Sequence, residues 1–243
     1  MEMSRTKLGD DHPDTLTSIT NLALTFWNQG WWKEAEQLQV QVMETSKSKL
    51  SDDHPSTLAS ISNLALTYCS QGRSGEAEEL QVQVMETSKT KLGDDHPSTL
   101  KTMANLASTF CHQDRWEEAE QLQVQVMETR KTKLGDDHPD TLRTMANLAW
   151  TFYKQGRMEE AEELQVHVMQ TRKTKLGEDH PDTLNSMANL AFTWKHPGQE
   201  VEAINLLIYC IARQKQTLGL NHWLTLANST ALVEWLMEDL ILR

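Results

Sequence analysis

LGDDHPDTL, residues 8–16, returns as LSDDHPSTL at 50–58, LGDDHPSTL at 92–100, LGDDHPDTL at 134–142 and LGEDHPDTL at 176–184. Acids and a histidine packed this tightly would suit a metal site or an acid–base centre, yet one chain has little use for five. Their spacing points elsewhere. His12, His54, His96, His138 and His180 each follow the last by 42 residues, and the next step lands on His222 in NHWLTL. Such a period marks a repeat architecture, which takes precedence over any local motif. Residues 117–142 and 159–184 differ at only four of 26 positions, so much of the shared sequence is copied rather than constrained.

Each unit reads as two helices. Leu16, Ile19, Leu22, Ala23 and Phe26 recur at the spacing of one apolar helical face. Gln29-Gly30 interrupts it, as a left-handed helix end would. A second helix follows from Trp32 to Lys49, with Ala35, Leu38 and Val42 inward, Glu34 and Glu36 in its first turn, and Lys47 and Lys49 in its last. That charge order complements the helix dipole at both ends without a ligand. Neither helix can bury its apolar stripe alone, whereas stacked units can. The predicted fold is therefore all-α, a right-handed solenoid of antiparallel helix pairs.

The opening motif then becomes a helix start. Proline suits the first helical position, where its missing N–H would have had no partner, and acids favour the positive end of a helix. No second histidine or cysteine accompanies the motif in a catalytic or metal-ligand arrangement, and no phosphate-binding glycine loop occurs. No enzyme, metal or cofactor is expected.

The bulk properties agree. The formal charge of −12 offers no basic footprint for nucleic acid or an anionic membrane. No apolar run has the length of a membrane span, and the N-terminus lacks a secretory core. Cys69, Cys111 and Cys210 are sparse and carry no zinc spacing, which suits a reduced, cytoplasmic protein.

NLALTFWNQGWWKEAEQL (21–38) and NLAWTFYKQGRMEEAEEL (147–164) resemble the tetratricopeptide repeat. Ala23, Phe26 and Ala35 match its small and aromatic positions. The 42-residue period and the DHPDTL lead-in are similar to the kinesin-light-chain-like subclass. The uniform LQVQVMETRKTKLG copies look most like the C-terminal arrays of fungal NLR-type (STAND) proteins of innate immunity. One departure stands out: Gln39, Gln81, Gln123 and Gln165 replace an aromatic common in the second helix. The resemblance implies a truncated repeat tail at 1–11 and repeats at 12–53, 54–95, 96–137, 138–179 and 180–221, the last divergent. A capping helix or partial repeat follows at 222–243. It also implies that Trp32, Trp116 and Met158 pack the helix turn in the core. Trp31, where later copies carry Arg73, Arg115 and Arg157, is expected to be an exposed aromatic against a neighbour.

Differences between near-identical copies carry the functional information. Between 97–114 and 139–156, the pairs Lys101/Arg143, Ser108/Trp150, Cys111/Tyr153 and His112/Lys154 share one helical face. In the tetratricopeptide family this face lines the concave groove. The candidate partner-binding residues on it are Leu24, Trp27, Leu66, Lys101, Arg143, Trp150, Tyr153, Lys154, Phe192 and Lys195. Aromatics of this kind are enriched at binding hot spots. Asn105, Asn147 and Asn189, from a ladder that includes Asn21 and Asn63, add amides able to bond a peptide backbone or to pin the adjoining helix. The expected partner is a protein or peptide with aromatic or aliphatic anchors and acidic flanks.

Leu226, Leu232, Val233 and Leu236 in the last segment hold core register, and an apolar edge there could instead mediate self-association. Three roles follow: ligand recognition within an NLR-like protein, a kinesin-light-chain-like cargo adaptor, or a self-associating scaffold.

Overall fold

A computed structural model describes residues 9, 11–195 and 198–241, excepting the side chains of 238–241. Residues 1–8 and 10 of the expected tail at 1–11 lie outside the described residues. Eleven α-helices and no strand occur among the described residues. They are α1 (Pro13–Asn28), α2 (Trp32–Lys49), α3 (Pro55–Ser70), α4 (Ser74–Leu92), α5 (Pro97–His112), α6 (Trp116–Leu134), α7 (Pro139–Lys154), α8 (Met158–Leu176), α9 (Pro181–Trp194), α10 (Glu200–Thr217) and α11 (Trp223–Ile241). The chain divides into two units, Met1–Val126 and Met127–Arg243.

The motif that opened the sequence caps each odd-numbered helix. Proline occupies the first turn of α1, α3, α5, α7 and α9, and the preceding histidine is the N-cap. Its imidazole Nδ1 accepts the N–H two residues on, at 3.2 Å from Asp14 and 3.1 Å from Ser56, Ser98, Asp140 and Asp182. His222 does the same for Leu224 at 3.3 Å. One orphan donor of each helix start is satisfied by the motif itself. At the other end of α1 the Trp31 N–H bonds Phe26 O at 2.9 Å and the Gly30 N–H bonds Trp27 O at 3.0 Å. Gly30, at φ +78, supplies the left-handed residue of this Schellman closure, and Asp114 takes that place at φ +58 after α5.

In the first unit, Leu58 and Ile61 of α3 pack on Val84 of α4, and Leu100 and Met103 of α5 on Val126 of α6. Successive pairs are joined by a polar staple. Gln39 of α2 is 3% exposed and accepts the Thr67 hydroxyl of α3 at 2.7 Å; Gln81 of α4 accepts that of Thr109 of α5 at 2.7 Å. The glutamines that replace the family aromatic are thus buried acceptors that set how one pair meets the next.

A cationic clasp lies beside them. Arg73 stands 3.9 Å over the Tyr68 ring and bonds Glu36 of the preceding pair at 2.8 Å. Arg115 repeats this over Phe110 at 4.3 Å, with Glu78 at 2.7 Å. In the first pair Trp31 replaces the arginine and lies 5.5 Å from the Phe26 ring.

In the second unit, Leu142 and Met145 of α7 pack on Val168 of α8. Leu184 of α9, Leu207 and Cys210 of α10, and Trp235 of α11 form a larger terminal core.

Two expectations need correction. Trp32 is 40% exposed: it opens α2 one turn before Ala35, the first fully buried side chain of that helix. In α11 the buried residues are Leu224, Thr225, Asn228 and Trp235, whereas Leu226, Val233 and Leu236 are exposed and Leu232 is half-buried. The equivalents of Leu226 in earlier repeats, such as Leu184, are covered by the second helix of their own pair, and no such helix follows α11 within these residues.

Gln81 and Thr109 are both buried, and without Gln81 the Thr109 hydroxyl keeps only long contacts, to Asn105 O at 3.4 Å and Cys69 Sγ at 3.3 Å. Gln81→Leu alone is expected to lower unfolding free energy by roughly 1–3 kcal/mol. Adding Thr109→Val should recover a large part of that loss, measured by chemical denaturation of the single and double variants.

Candidate partner-binding face

The predicted site residues lie on the odd-numbered helices, and the two units contribute separate sets. In the first unit α3 and α5 flank a pocket of about 460 Å³. Leu66 and Asn63 of α3 and Lys101 and Asn105 of α5 line it together, with Ala59 and Leu58 as apolar wall. Lys101 is exposed, while Asn63, Leu66 and Asn105 are half-buried. No carboxylate lines this pocket. An ammonium beside two side-chain amides and a leucine is a surface that can hold an acidic group, a peptide backbone and an aliphatic side chain at once. Leu24 is 39% exposed on α1. Trp27 is committed locally, its indole N–H donating to the Ser70 hydroxyl at 2.9 Å.

In the second unit, Trp150 and Tyr153 of α7 stack with ring centroids 5.3 Å apart, and the Lys154 ammonium lies 5.0 Å from the Trp150 ring. Trp150 is 45% exposed. The three residues separated in sequence comparison as variable therefore form one aromatic–cation platform. Arg143, two turns before Trp150, bonds Asp140 at 2.6 Å and is thus partly neutralised. Asn147 is exposed and Asn189 half-buried. Phe192 is placed differently from expectation. It meets Trp235 edge-on at 5.1 Å against the terminal core, and Lys195 sits 5.7 Å from that same ring. Both support the junction with α11, because the enlarged apolar residues of α10 and α11 bring a tryptophan to that face.

Other reactive groups are occupied or ordinary. Burial pushes the Cys210 thiol up to about 12, and burial also raises that of Cys69. Neither thiol has the electropositive setting that makes a thiolate at neutral pH. Among the described residues no three His, Cys, Asp or Glu side chains gather to hold a metal ion, and no helix is long and apolar enough to cross a membrane.

The sequence comparisons bear on this geometry directly. Family models of the tetratricopeptide repeat match residues 22–90, 56–131, 98–174 and 183–224. The chain belongs to the tetratricopeptide-repeat family. No curated protein matches it. Two crystal structures of a kinesin light chain-like protein with nearly identical TPR-like repeats from Podosopora anserina, one a single-substitution variant, are 33% identical. They cover 85% of this chain and 98% of theirs, with TM-scores of 0.73 and 0.71. BtubC (BKLC) from P. vanneervenii, at 18% identity, shares the fold with a TM-score of 0.71, covering 90% of this chain and 86% of its own. The helix pairs described above are thus tetratricopeptide repeats of the kinesin-light-chain-like kind, in an all-α solenoid. Tetratricopeptide arrays are typically non-enzymatic scaffolds for protein interaction.

Sequence comparison missed the buried Gln–Thr staple, although the glutamine that four copies carry in place of an aromatic was its visible trace. Because Trp150 and Tyr153 stack in solvent rather than in a core, Trp150→Ala is expected to change unfolding free energy by less than about 1 kcal/mol. The same denaturation measurement on Leu148→Ala, at a site 1% exposed, should show a loss of about 2–5 kcal/mol.

Proposed function

We propose that this array recognises an extended peptide segment of a partner protein through the concave face of its first helices. The pocket shared by Asn63, Leu66, Lys101 and Asn105 carries the reading. Lys101 meets an acidic side chain, the two amides meet peptide backbone, and Leu66 receives an aliphatic anchor. The Trp150–Tyr153–Lys154 platform supplies a second contact of the aromatic kind found at hot spots. Near-identical copies that differ mainly on this face suit a recognition surface diversified on a constant scaffold. That pattern favours the ligand-sensing part of an NLR-like (STAND) protein acting in the cytoplasm. A cargo-adaptor role is the second reading, supported by the 33% identity to the kinesin light chain-like repeats. Self-association is the third, supported by the exposed Trp223, Leu226, Val233 and Met237 along α11.

Selection of a displayed random-peptide library on the chain tests the proposal. Peptides with an acidic residue near an aliphatic or aromatic one should be enriched. Lys101→Glu should weaken the winners by about tenfold, the size of a reversed, partly screened charge contact. No enrichment, or winners indifferent to Lys101→Glu, Asn105→Ala and Trp150→Ala, would refute it.

A further inference from the structure

Two recessed pockets open onto the first-helix face of the first unit, and the second unit shows what fills such a space. The repeat position of Ser46 is serine in two copies, Ser46 and Ser88, and arginine in the next two, Arg130 and Arg172. Arg130 is 5% exposed, and its guanidinium donates to Asp140 O at 3.2 Å and to the Thr144 hydroxyl at 2.7 Å. Arg172 does the same with Asp182 O at 3.3 Å and the Ser186 hydroxyl at 2.8 Å. In the serine copies the same positions line the pockets: Ser46, Ser56 and Ser60 in one of about 490 Å³, and Ser88, Ser98 and Thr102 in the other. The fifth repeat fills the place with Gln214, whose amide oxygen accepts from Asn228 at 3.1 Å. The space behind the face is therefore a seat for a planar side-chain end, filled by arginine or glutamine in three copies and floored by a buried serine in the other two.

The two vacated seats differ in charge. Lys101 stands on the wall of the Ser88 pocket, and no carboxylate does. The equivalent of Lys101 at the Ser46 pocket is Ala59, and that pocket is lined by both Asp11 and Lys49, which pair with each other at 2.7 Å. Lys101 repels a cation from the first, with no carboxylate there to offset it as Asp140 offsets Arg143 in the filled copy. The wall of the second carries a neutral ion pair, and the hydroxyls of Ser46, Ser56 and Ser60 line its seat. We infer that the Ser46 pocket binds the guanidinium of an arginine side chain presented by the partner. The arginine enters from the face and occupies the position its counterpart fills from within in the later repeats. The partner segment then carries an arginine for the Ser46 pocket as well as an acid for Lys101. This deepens the peptide-recognition reading and rests on it for the source of the arginine, not for the chemistry of the pocket.

The test uses the whole chain and single-residue probes, so it is independent of whether any peptide is ever selected. Amide shifts of the isotopically labelled protein are followed during titration with Nα-acetyl-arginine methylamide, with the citrulline and lysine derivatives in parallel. The arginine derivative should give saturable shifts centred on Ser46, Ser56 and Ser60 in the millimolar range. Citrulline, of the same shape but uncharged, should bind about fivefold more weakly, since charge-assisted hydrogen bonds are the stronger ones. The double variant Ser46→Arg/Ser56→Asp, built after the Arg130/Asp140 copy, should abolish the response. Should that variant not fold, Ala59→Lys reads the same point: a lysine on the wall, as at Lys101, should weaken arginine binding about fivefold or more. Absence of saturable shifts at those three residues, equal binding of citrulline, or a response unchanged in a folded filled variant or in Ala59→Lys would overturn the assignment.

Discussion

Every odd-numbered helix begins when an imidazole nitrogen takes up a backbone N–H that the helix cannot satisfy itself. The acceptor is Nδ1 of His12 and its equivalents, two residues before the bonded amide and, in all but the last of these helices, one before the proline. An Nδ1 that accepts carries no proton, so the cap holds each ring in the tautomer protonated at Nε2. This contact, repeated at 42-residue intervals, sets where each first helix starts and hence which face its side chains present. It also explains why acids crowd the motif: they stand at the positive end of the helix dipole. A constellation that resembles a catalytic centre is used up in defining a helix start.

Polar contacts of unusual depth then fix one repeat against the next. Apolar packing of Leu58 and Ile61 on Val84 drives association without choosing a register closely. The buried Gln39–Thr67 and Gln81–Thr109 bonds do choose, because a slipped junction would leave a carboxamide and a hydroxyl unpaired in the interior. The arginines over Tyr68 and Phe110 add a second, more exposed constraint, through a guanidinium that both stacks and forks. With register set in this way, the first-helix face can vary from copy to copy without disturbing the core. Separation of scaffold from variable face is what allows Trp150, Tyr153 and Lys154 to gather as one platform.

The period, the helix pairs and the boundaries of α2 were legible in sequence, since each rests on local spacing: apolar residues at helical intervals, proline after histidine, and glycine at the break. What escaped depended on partners distant in the chain. Trp32 looked like a core residue because Trp116 and Met158 hold its place in other copies, yet it opens a helix and stays 40% exposed. Leu226 and Val233 keep the core pattern, but burial needs a second helix over them, and no pattern within α11 reports that. Phe192 shares its helix face with Trp150, and only the approach of Trp235 turns it into a packing residue. The exchange of Ser46 and Ser88 for Arg130 and Arg172 was visible as a substitution, but its meaning as an open or a filled space required the bond from guanidinium to Thr144. Candidate sites on the first-helix face were readable because they rest on differences between copies at fixed register.

The claim on which this account depends is that the repeated histidine is a helix cap and nothing more. Thermal and chemical denaturation of His138→Asn beside His138→Ala tests it most directly. Asparagine caps a helix through its side-chain oxygen, so the first variant should stay within a few tenths of a kcal/mol of the parent, while alanine should cost about 1 kcal/mol. Equal and severe destabilisation by both would mean that the imidazole has a role that capping does not describe, and would contradict the account.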